Sequence, residues 1–245
     1  MATAPWFYAP PASWSGDVIE LPLDESRHAL RSLRIRPPDI VTVTDGAGTV
    51  ARAAATRLDG ETLVVEVLER REHRRPKPAI AVYQGAPKGH KADEIVERLA
   101  ELGAAEVTFF ESERTVARWS AEKVVRSTER WHTIARSAAT QSRNPYVLEA
   151  SAGVSWTELV RRIAREDFAV VLWEEASVPL RAALSGTAER VALVVGPEGG
   201  LSRTEAEGLA DAGAQLVSLG PTILRTEVAP VVTAAALLYH YGVLG

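Results

Sequence analysis

Two glycine-containing strings in the last third of the chain carry the residue types suited to holding a flat polar ligand. They are Gly196-Pro197-Glu198-Gly199-Gly200 and Gly220-Pro221-Thr222-Ile223-Leu224-Arg225-Thr226. Glycine admits positive φ and close backbone approach, and Pro197 stiffens the first turn. Ser202 followed by Glu205 has the spacing of a capping box, so this loop runs directly into a helix start. Such a unit presents backbone donors and acceptors to a purine or a ribose. A glycine loop by itself is equally a tight strand-to-helix turn with no ligand, and the spacing matches neither G-x-G-x-x-G nor G-x-x-x-x-G-K-[ST]. In the second string, Ile223 and Leu224 can sandwich an aromatic ring while Arg225 and Thr226 make polar contacts at its edge. The alternative is that Ile223 and Leu224 are core, Thr226 caps the following helix, and Glu227 complements its dipole.

The elements that must position these strings alternate. Ala79 to Gln84, Val107 to Phe110, Phe168 to Trp173, Val191 to Val195 and Leu216 to Leu219 read as strands. Asp93 to Leu102 (ended by Gly103), Glu122 to Thr140, Trp156 to Glu166 and Val231 to Tyr241 read as helices. That alternation predicts an α/β domain with a mostly parallel sheet, in which ligands sit beyond the carboxyl ends of the strands. The strand end Leu172-Trp173-Glu174-Glu175 is therefore a third segment of interest. Before residue 75 the rhythm differs. Asp39 to Val43, Thr49 to Thr56 and Thr62 to Leu68 are short strands separated by Asp45-Gly46-Ala47-Gly48 and Asp59-Gly60, a pattern that suggests a small barrel. Arg70 to Pro78, charged and carrying Pro76 and Pro78, reads as a linker.

Composition narrows the chemistry. With Cys 0 in 245 residues, disulfides, thiolate metal sites and cysteine nucleophiles are excluded. His73, His132 and His240 lack metal-like spacing, and no metal is expected. A net charge of −4 argues against a nucleic-acid partner when taken alone, but Arg27, His28, Arg31, Arg34 and Arg36 crowd one stretch and Arg70 to Lys77 another. These clusters permit an RNA partner and are equally read as solvated faces. Trp131, Trp156 and Trp173 fall in helix or strand patterns, which predicts core packing, while His28 and His90 are candidates for an RNA path, although histidines so placed are more often plain surface residues. Met1 to Pro11 has neither a basic nor an apolar signal region, and no apolar stretch approaches the roughly 20 residues of a membrane span, so the expectation is a cytoplasmic protein.

The string Val194-Val195-Gly196-Pro197-Glu198-Gly199-Gly200-Leu201-Ser202, with Leu219-Gly220-Pro221-Thr222-Ile223-Leu224-Arg225-Thr226-Glu227 downstream, resembles the SPOUT methyltransferases. Within them it is similar to the family that methylates N3 of a uridine in bacterial small-subunit (16S) ribosomal RNA. Ala86-Pro87-Lys88-Gly89, Ala100-Glu101-Leu102-Gly103 and Gln141-Ser142-Arg143 agree with that family. The resemblance implies a PUA-like β-barrel that binds RNA over residues 1–74. It implies a SPOUT methyltransferase domain over residues 75–245 with a C-terminal trefoil knot, and a homodimer with active sites at the subunit interface. S-adenosyl-L-methionine would sit among the three loops, held by Leu172, Trp173, Glu174, Gly196, Pro197, Glu198, Gly199, Gly200, Leu201, Leu219, Gly220, Ile223, Leu224 and Thr226. The partner would be ribosomal RNA or the small ribosomal subunit, met by Arg31, Arg34 and Arg36 on the barrel and by Lys88, Arg114 and Arg143 nearer the site. The chain departs from the family pattern at Thr222, where a basic residue is usual. It departs also at Pro230, at Ser137, and at Pro5-Trp6 near the amino terminus.

Attack by uridine N3 requires loss of the imide proton, and the charge then spreads to the neighbouring carbonyl oxygens. Arg225 is the candidate for stabilising that charge, and Glu198 or Glu227 for accepting the proton. Pyrimidine C5 methylation normally proceeds through cysteine addition and is excluded here. Two alternatives remain: a ribose 2′-O-methyltransferase of the same superfamily, and a non-catalytic RNA-binding module that kept the fold.

Overall fold

The computed structural model describes residues 4–184 and 186–245. The chain forms two compact units: the described residues up to Arg75 together with Arg136–Val147, and Pro76–Ala135 together with Leu148–Gly245.

In the first unit, β1 (Trp6–Tyr8), β2 (Trp14–Ser15), β3 (Val18–Glu20), β4 (Ile40–Thr44), β5 (Thr49–Asp59) and β6 (Thr62–Glu72) form a six-stranded sheet in the order β1-β4-β5-β6-β3-β2. β1 pairs parallel with β4 and every other pairing is antiparallel. Gly60, at φ 59°, makes the sharp reversal between the two long strands. Register shifts at Arg52/Ala53 and Ala55/Arg57 mark irregularities that raise local twist and bend the ribbon. One face closes over Phe7, Ile19, Leu21, Val41, Val43, Leu63 and Val65. A short helix α1 (Leu23–Arg27) and a π-helical turn over His28–Ser32 follow β3. The linker expected over Arg70 to Pro78 begins later than its composition suggests. Thr49, Val50 and Ala51 pair with Glu72, Arg71 and Arg70, because ladder pairing uses the backbone and leaves charged side chains in solvent.

The second unit alternates: β7 (Ala79–Gly85), α2 (Lys91–Leu102), β8 (Glu106–Phe110), α3 (Ala121–Ser142, which passes into the first unit at Arg136), β9 (Glu149–Val154), α4 (Trp156–Ile163), β10 (Ala169–Leu172), α5 (Leu180–Ala183), β11 (Arg190–Val195), α6 (Arg203–Asp211), β12 (Gln215–Val217) and α7 (Ala229–His240). All pairings in its six-stranded sheet are parallel, in the order β12-β10-β11-β7-β8-β9. From β7 the chain grows outward through β8 and β9, then returns to build β10, β11 and β12 on the other side. The topological switch point therefore lies between β7 and β11, where open parallel sheets bind ligands.

Local sequence explains the helices that flank this point. Ile95, Val96 and Leu99 bury one face of α2, and Gly103 ends it in the left-handed region at φ 82°. Ser202 and Glu205 form the capping box that starts α6. Pro230 sits in the first turn of α7, where no intrahelical N–H is lost. Strand β9 escapes the sequence reading because Glu-Ala-Ser-Ala-Gly-Val has weak strand propensity and occupies the sheet edge.

Helix α1 also generates a pH effect. Burial pushes the Glu25 carboxyl up to about 7, helped by the adjacent Asp24 charge and opposed by the Tyr8 backbone N–H and by Arg136. A carboxyl whose folded value is raised contributes stability that is complete below its unfolded value and is lost as pH rises through about 7. Glu25→Gln is expected to raise the melting temperature at pH 8 and to leave it nearly unchanged at pH 5. Parallel melting curves for the two proteins across that window would remove this account of Glu25.

Candidate functional site

A pocket of about 700 Å³ opens at the carboxyl ends of β10, β11 and β12. Leu172, Val195 and Val217 end those strands and supply apolar wall, joined by Leu219, Ile223 and Leu224 from the segment before α7. Glu174, Glu198 and Glu227 bring carboxylates to the lining, and Lys91 and Arg225 bring cations. The glycine loop fits only as glycine. A Cβ on Gly196 would stand 2.9 Å from the Gly200 carbonyl carbon, and Gly200 has φ +69°. A Cβ on Gly85, at the end of β7, would stand 2.3 Å from the Pro197 nitrogen, so β7 and the loop touch backbone to backbone.

Buried hydrogen bonds lock the loops together. Gln84, fully buried at the end of β7, donates through Nε2 to the Gly196 carbonyl at 3.2 Å and to the Thr226 hydroxyl at 2.9 Å. The Thr226 hydroxyl in turn donates to the Gly196 carbonyl at 3.0 Å. One amide and one hydroxyl thus tie the switch-point strand, the glycine loop and the segment before α7 at a single point. Thr226 is therefore not the cap of the last helix; Val228 holds that position. Its hydroxyl is drawn instead to an inward-facing carbonyl.

The charges on the lining form a second tie. Lys91, the first residue of α2, places Nζ 3.1 Å from Glu198 Oε1 and 3.1 Å from Glu227 Oε2. Glu198 Oε1 also accepts the Lys88 backbone N–H at 3.0 Å, at the amino end of α2 where the helix dipole favours an anion. Burial works against the charge on both carboxylates. Backbone N–H groups and Lys91 outweigh it, with Arg225 adding to the effect on Glu227, and both carboxyls sit below the ordinary value. Lys91 is correspondingly held above its ordinary value, chiefly by the hydrogen bond to Glu198.

Of the residues assigned from sequence to the ligand, all but Gly199 and Leu201 line the pocket. Leu201 is buried beneath the loop, and Gly199 packs against Arg114, whose guanidinium donates to the Gly199 carbonyl at 3.2 Å. Ile223 is 84% exposed, which rules out the core alternative for that side chain. Trp173 is half-buried, packed against the core of the second unit and also on the pocket lining, with the Arg203 guanidinium 5.6 Å from its ring centre and Glu175 paired to Arg203. Trp131 is core, packed 4.6 Å from Phe109 with its indole N–H donated to Asp93, and Trp156 is half-buried. In the first unit Arg31 pairs with Glu61, Arg36 donates to the Ile35 carbonyl, and Arg34 and Arg143 both adopt φ 58°. Lys88 lies exposed in the loop before α2. Gln84 and Lys91 were not singled out by the sequence. The one signal for Gln84 was a polar residue closing a fully apolar strand.

Comparison with known proteins gives a consistent picture. Residues 74–238 match the family model for the RNA methyltransferase domain. A ribosomal RNA small subunit methyltransferase E from Mycobacterium bovis is 34% identical over 235 residues, covering 94% of this chain and 90% of the relative. The Bacillus subtilis protein of the same name is 30% identical over 226 residues, covering 89% and 88%. Among solved structures, a ribosomal RNA small subunit methyltransferase E from Neisseria gonorrhoeae bound to S-adenosylmethionine superposes with a TM-score of 0.85 at 28% identity, covering 97% of this chain and 98% of that one. A Legionella pneumophila methyltransferase in complex with the same cofactor gives 0.88 at 27% identity, covering 98% of each.

The buried tie predicts a specific sensitivity. Thr226→Val keeps the shape of the side chain and removes the hydroxyl shared by Gln84 and Gly196. Denaturant unfolding is expected to show a loss of about 1–2 kcal/mol, the range for a buried hydrogen-bonded group left short of a partner. A loss near zero would mean that the tie does not hold the loops.

Proposed function

The chain belongs to the RNA methyltransferase domain family, and on that premise we propose that it transfers a methyl group from S-adenosylmethionine to N3 of a uridine in small-subunit 16S ribosomal RNA. The observation that carries the reading is the pocket itself. Its apolar wall of Leu172, Val217, Leu219, Ile223 and Leu224 suits a purine. Its backbone-lined glycine loop suits a ribose, and its ionised Glu198 and Glu227 suit a cationic ligand. The residues present therefore fit the cofactor. When bound, S-adenosylmethionine supplies an electrophilic methyl group on a sulfonium. That the Neisseria and Legionella proteins hold this cofactor, and that the relatives above are named for small-subunit ribosomal RNA, supports the same reading.

What this chain's side chains add is placement and charge. Arg225 is exposed on the lining and close enough to Glu227 to lower its carboxyl. Its role is to neutralise charge on the pyrimidine carbonyl oxygens as the N3 proton is lost. Glu198 and Glu227, held ionised by Lys91 and backbone N–H groups, are weak bases, which suits them better to holding a cationic cofactor than to accepting the imide proton. Arg31, Arg34, Arg36 and Arg143 on the first unit, with Lys88 and Arg114 on the second, supply phosphate contacts, and the target base is unstacked to reach the pocket. The division of labour is an RNA-holding first unit, in which Arg136–Val147 joins the residues up to Arg75, and a knotted catalytic second unit. The enzyme works as a homodimer in the cytoplasm. Among the described residues no helix is long and apolar enough to cross a membrane.

Labelled S-adenosylmethionine incubated with undermethylated small subunits should yield labelled 3-methyluridine on nucleoside analysis. Label in a 2′-O-methyl nucleoside would replace the substrate assignment, and bound cofactor without any transfer would favour a binding module. Arg225→Ala is expected to lower kcat by about 100-fold or more, the usual cost of removing one transition-state charge contact, while changing cofactor affinity only a few-fold. Equal losses in both would sink the proposed role of Arg225.

A further inference from the structure

Lys91 stands apart from the loops that form the pocket, yet its ammonium joins two of them. We propose that Lys91 is a positioning residue of the cofactor site: by bridging Glu198 and Glu227 it keeps an anionic wall facing the sulfonium ligand and holds the glycine loop to the segment before α7. The inference rests on the cofactor reading given above.

The geometry carries it. Lys91 lines the pocket, and its Nζ lies 3.1 Å from a carboxylate oxygen on each of two separate loops. The side chain of Glu227 is 11% exposed, and its Oε2 finds Lys91 only at ion-pair distance, with no hydrogen bond from any other group. Glu198 keeps the Lys88 backbone N–H if Lys91 is lost, whereas Glu227 Oε2 loses its ion partner and its carboxyl keeps only its own backbone N–H and the influence of the exposed Arg225. Two carboxylates drawn to one ammonium repel each other once it is removed, and a buried carboxylate without a partner takes up a proton. The other charges around the bridge do not substitute for it. Arg225 lies on the same segment as Glu227 and is exposed. Lys88 meets Glu198 through its backbone. On α2 itself, Asp93 is occupied by His90 and by Arg130 of α3. Without Lys91 the two carboxylates would carry two negative charges at alkaline pH and one on acidification, whereas in the native protein both stay ionised around one fixed ammonium and the net charge of the bridge does not change.

This separates Lys91 from a residue that merely stabilises the fold. Loss of packing weakens ligand binding equally at every pH. Loss of the bridge raises the Glu227 carboxyl, so its protonation, and with it the affinity for a cation, varies with pH.

The test is calorimetric titration of the full-length protein with S-adenosylmethionine between pH 5.5 and 8.5, with S-adenosylhomocysteine as the neutral counterpart. Wild type, Lys91→Met, Lys91→Arg and Glu227→Gln are compared, and circular dichroism checks each fold. Wild-type affinity for the sulfonium is expected to stay level across the range. In Lys91→Met it should fall about tenfold or more towards the acid end, as one wall charge is neutralised, and Lys91→Arg should restore the level profile. A Lys91→Met profile parallel to wild type would overturn the proposal. If Lys91→Met does not fold, Glu227→Gln decides. It retains Lys91 and should weaken the sulfonium ligand several-fold more than the neutral thioether; an unchanged ratio would overturn the proposal. Failure of wild type to bind either ligand would instead remove the cofactor reading on which the inference rests.

Discussion

The pocket depends on a single buried crossing, where Gln84, the Gly196 carbonyl and the Thr226 hydroxyl meet. The three residues come from distant parts of the chain and from elements with no ladder between the two outer ones. Loops that end strands have many conformations, and ordering each residue costs about 1–2 kcal/mol of backbone entropy. The crossing offsets part of that cost before any ligand arrives. It works only because Gly85 lets β7 approach Pro197 within backbone contact and Gly196 lets the loop fold back on Gly200. A side chain at either glycine would separate the partners by more than a hydrogen bond tolerates.

Upon that frame the charges fall into two sets with different duties. Lys91 is spent inside the protein, on Glu198 and Glu227, and holds the wall. Arg225 is exposed on the lining and available to a second molecule. The difference follows from position in the chain. Lys91 begins a helix whose buried face fixes its place, and so can bridge two loops reproducibly. Arg225 sits in a loop segment between a left-handed Gly220 and the start of α7, where it remains accessible. Both carboxyls are low despite burial because backbone N–H groups and Lys91, all within the protein, favour their charged forms.

Much of this was legible from residue types. The strand–glycine loop–helix unit, its capping box, and the gathering of three strand ends at one place follow from glycine and Ser/Glu spacing alone. What the sequence hid was anything set by distant pairing. The residue type left Thr226 open between a polar contact at the site edge and a helix cap; neither reading showed that a carbonyl far upstream in the chain, at Gly196, takes its hydroxyl. The residue type left Ile223 open between a ring contact and the core, and its 84% exposure on the pocket lining decides for the first. Trp173 follows β10 by one residue, and so both packs against the core and reaches the pocket lining, a second role its type did not show. Arg70 to Glu72 read as linker because charge suggests solvent, whereas the backbone ladder of β6 is indifferent to it. Lys91 and Gln84 gave almost no local signal, since one polar residue at an element's end is ordinary until its partners are known.

These misses share a physical cause that bears on how the site works. A ligand pocket built from loops must spend its polar groups twice, first on holding the loops and then on the ligand. Sequence shows which groups are present but not how they are divided. Here the division is nearly complete: Gln84, Thr226 and Lys91 make their bonds within the protein, while the apolar wall, the far sides of the carboxylates and Arg225 are left facing the cavity. A site divided in this way arrives preorganised, so binding energy need not be used to assemble it and remains available for aligning the reacting groups.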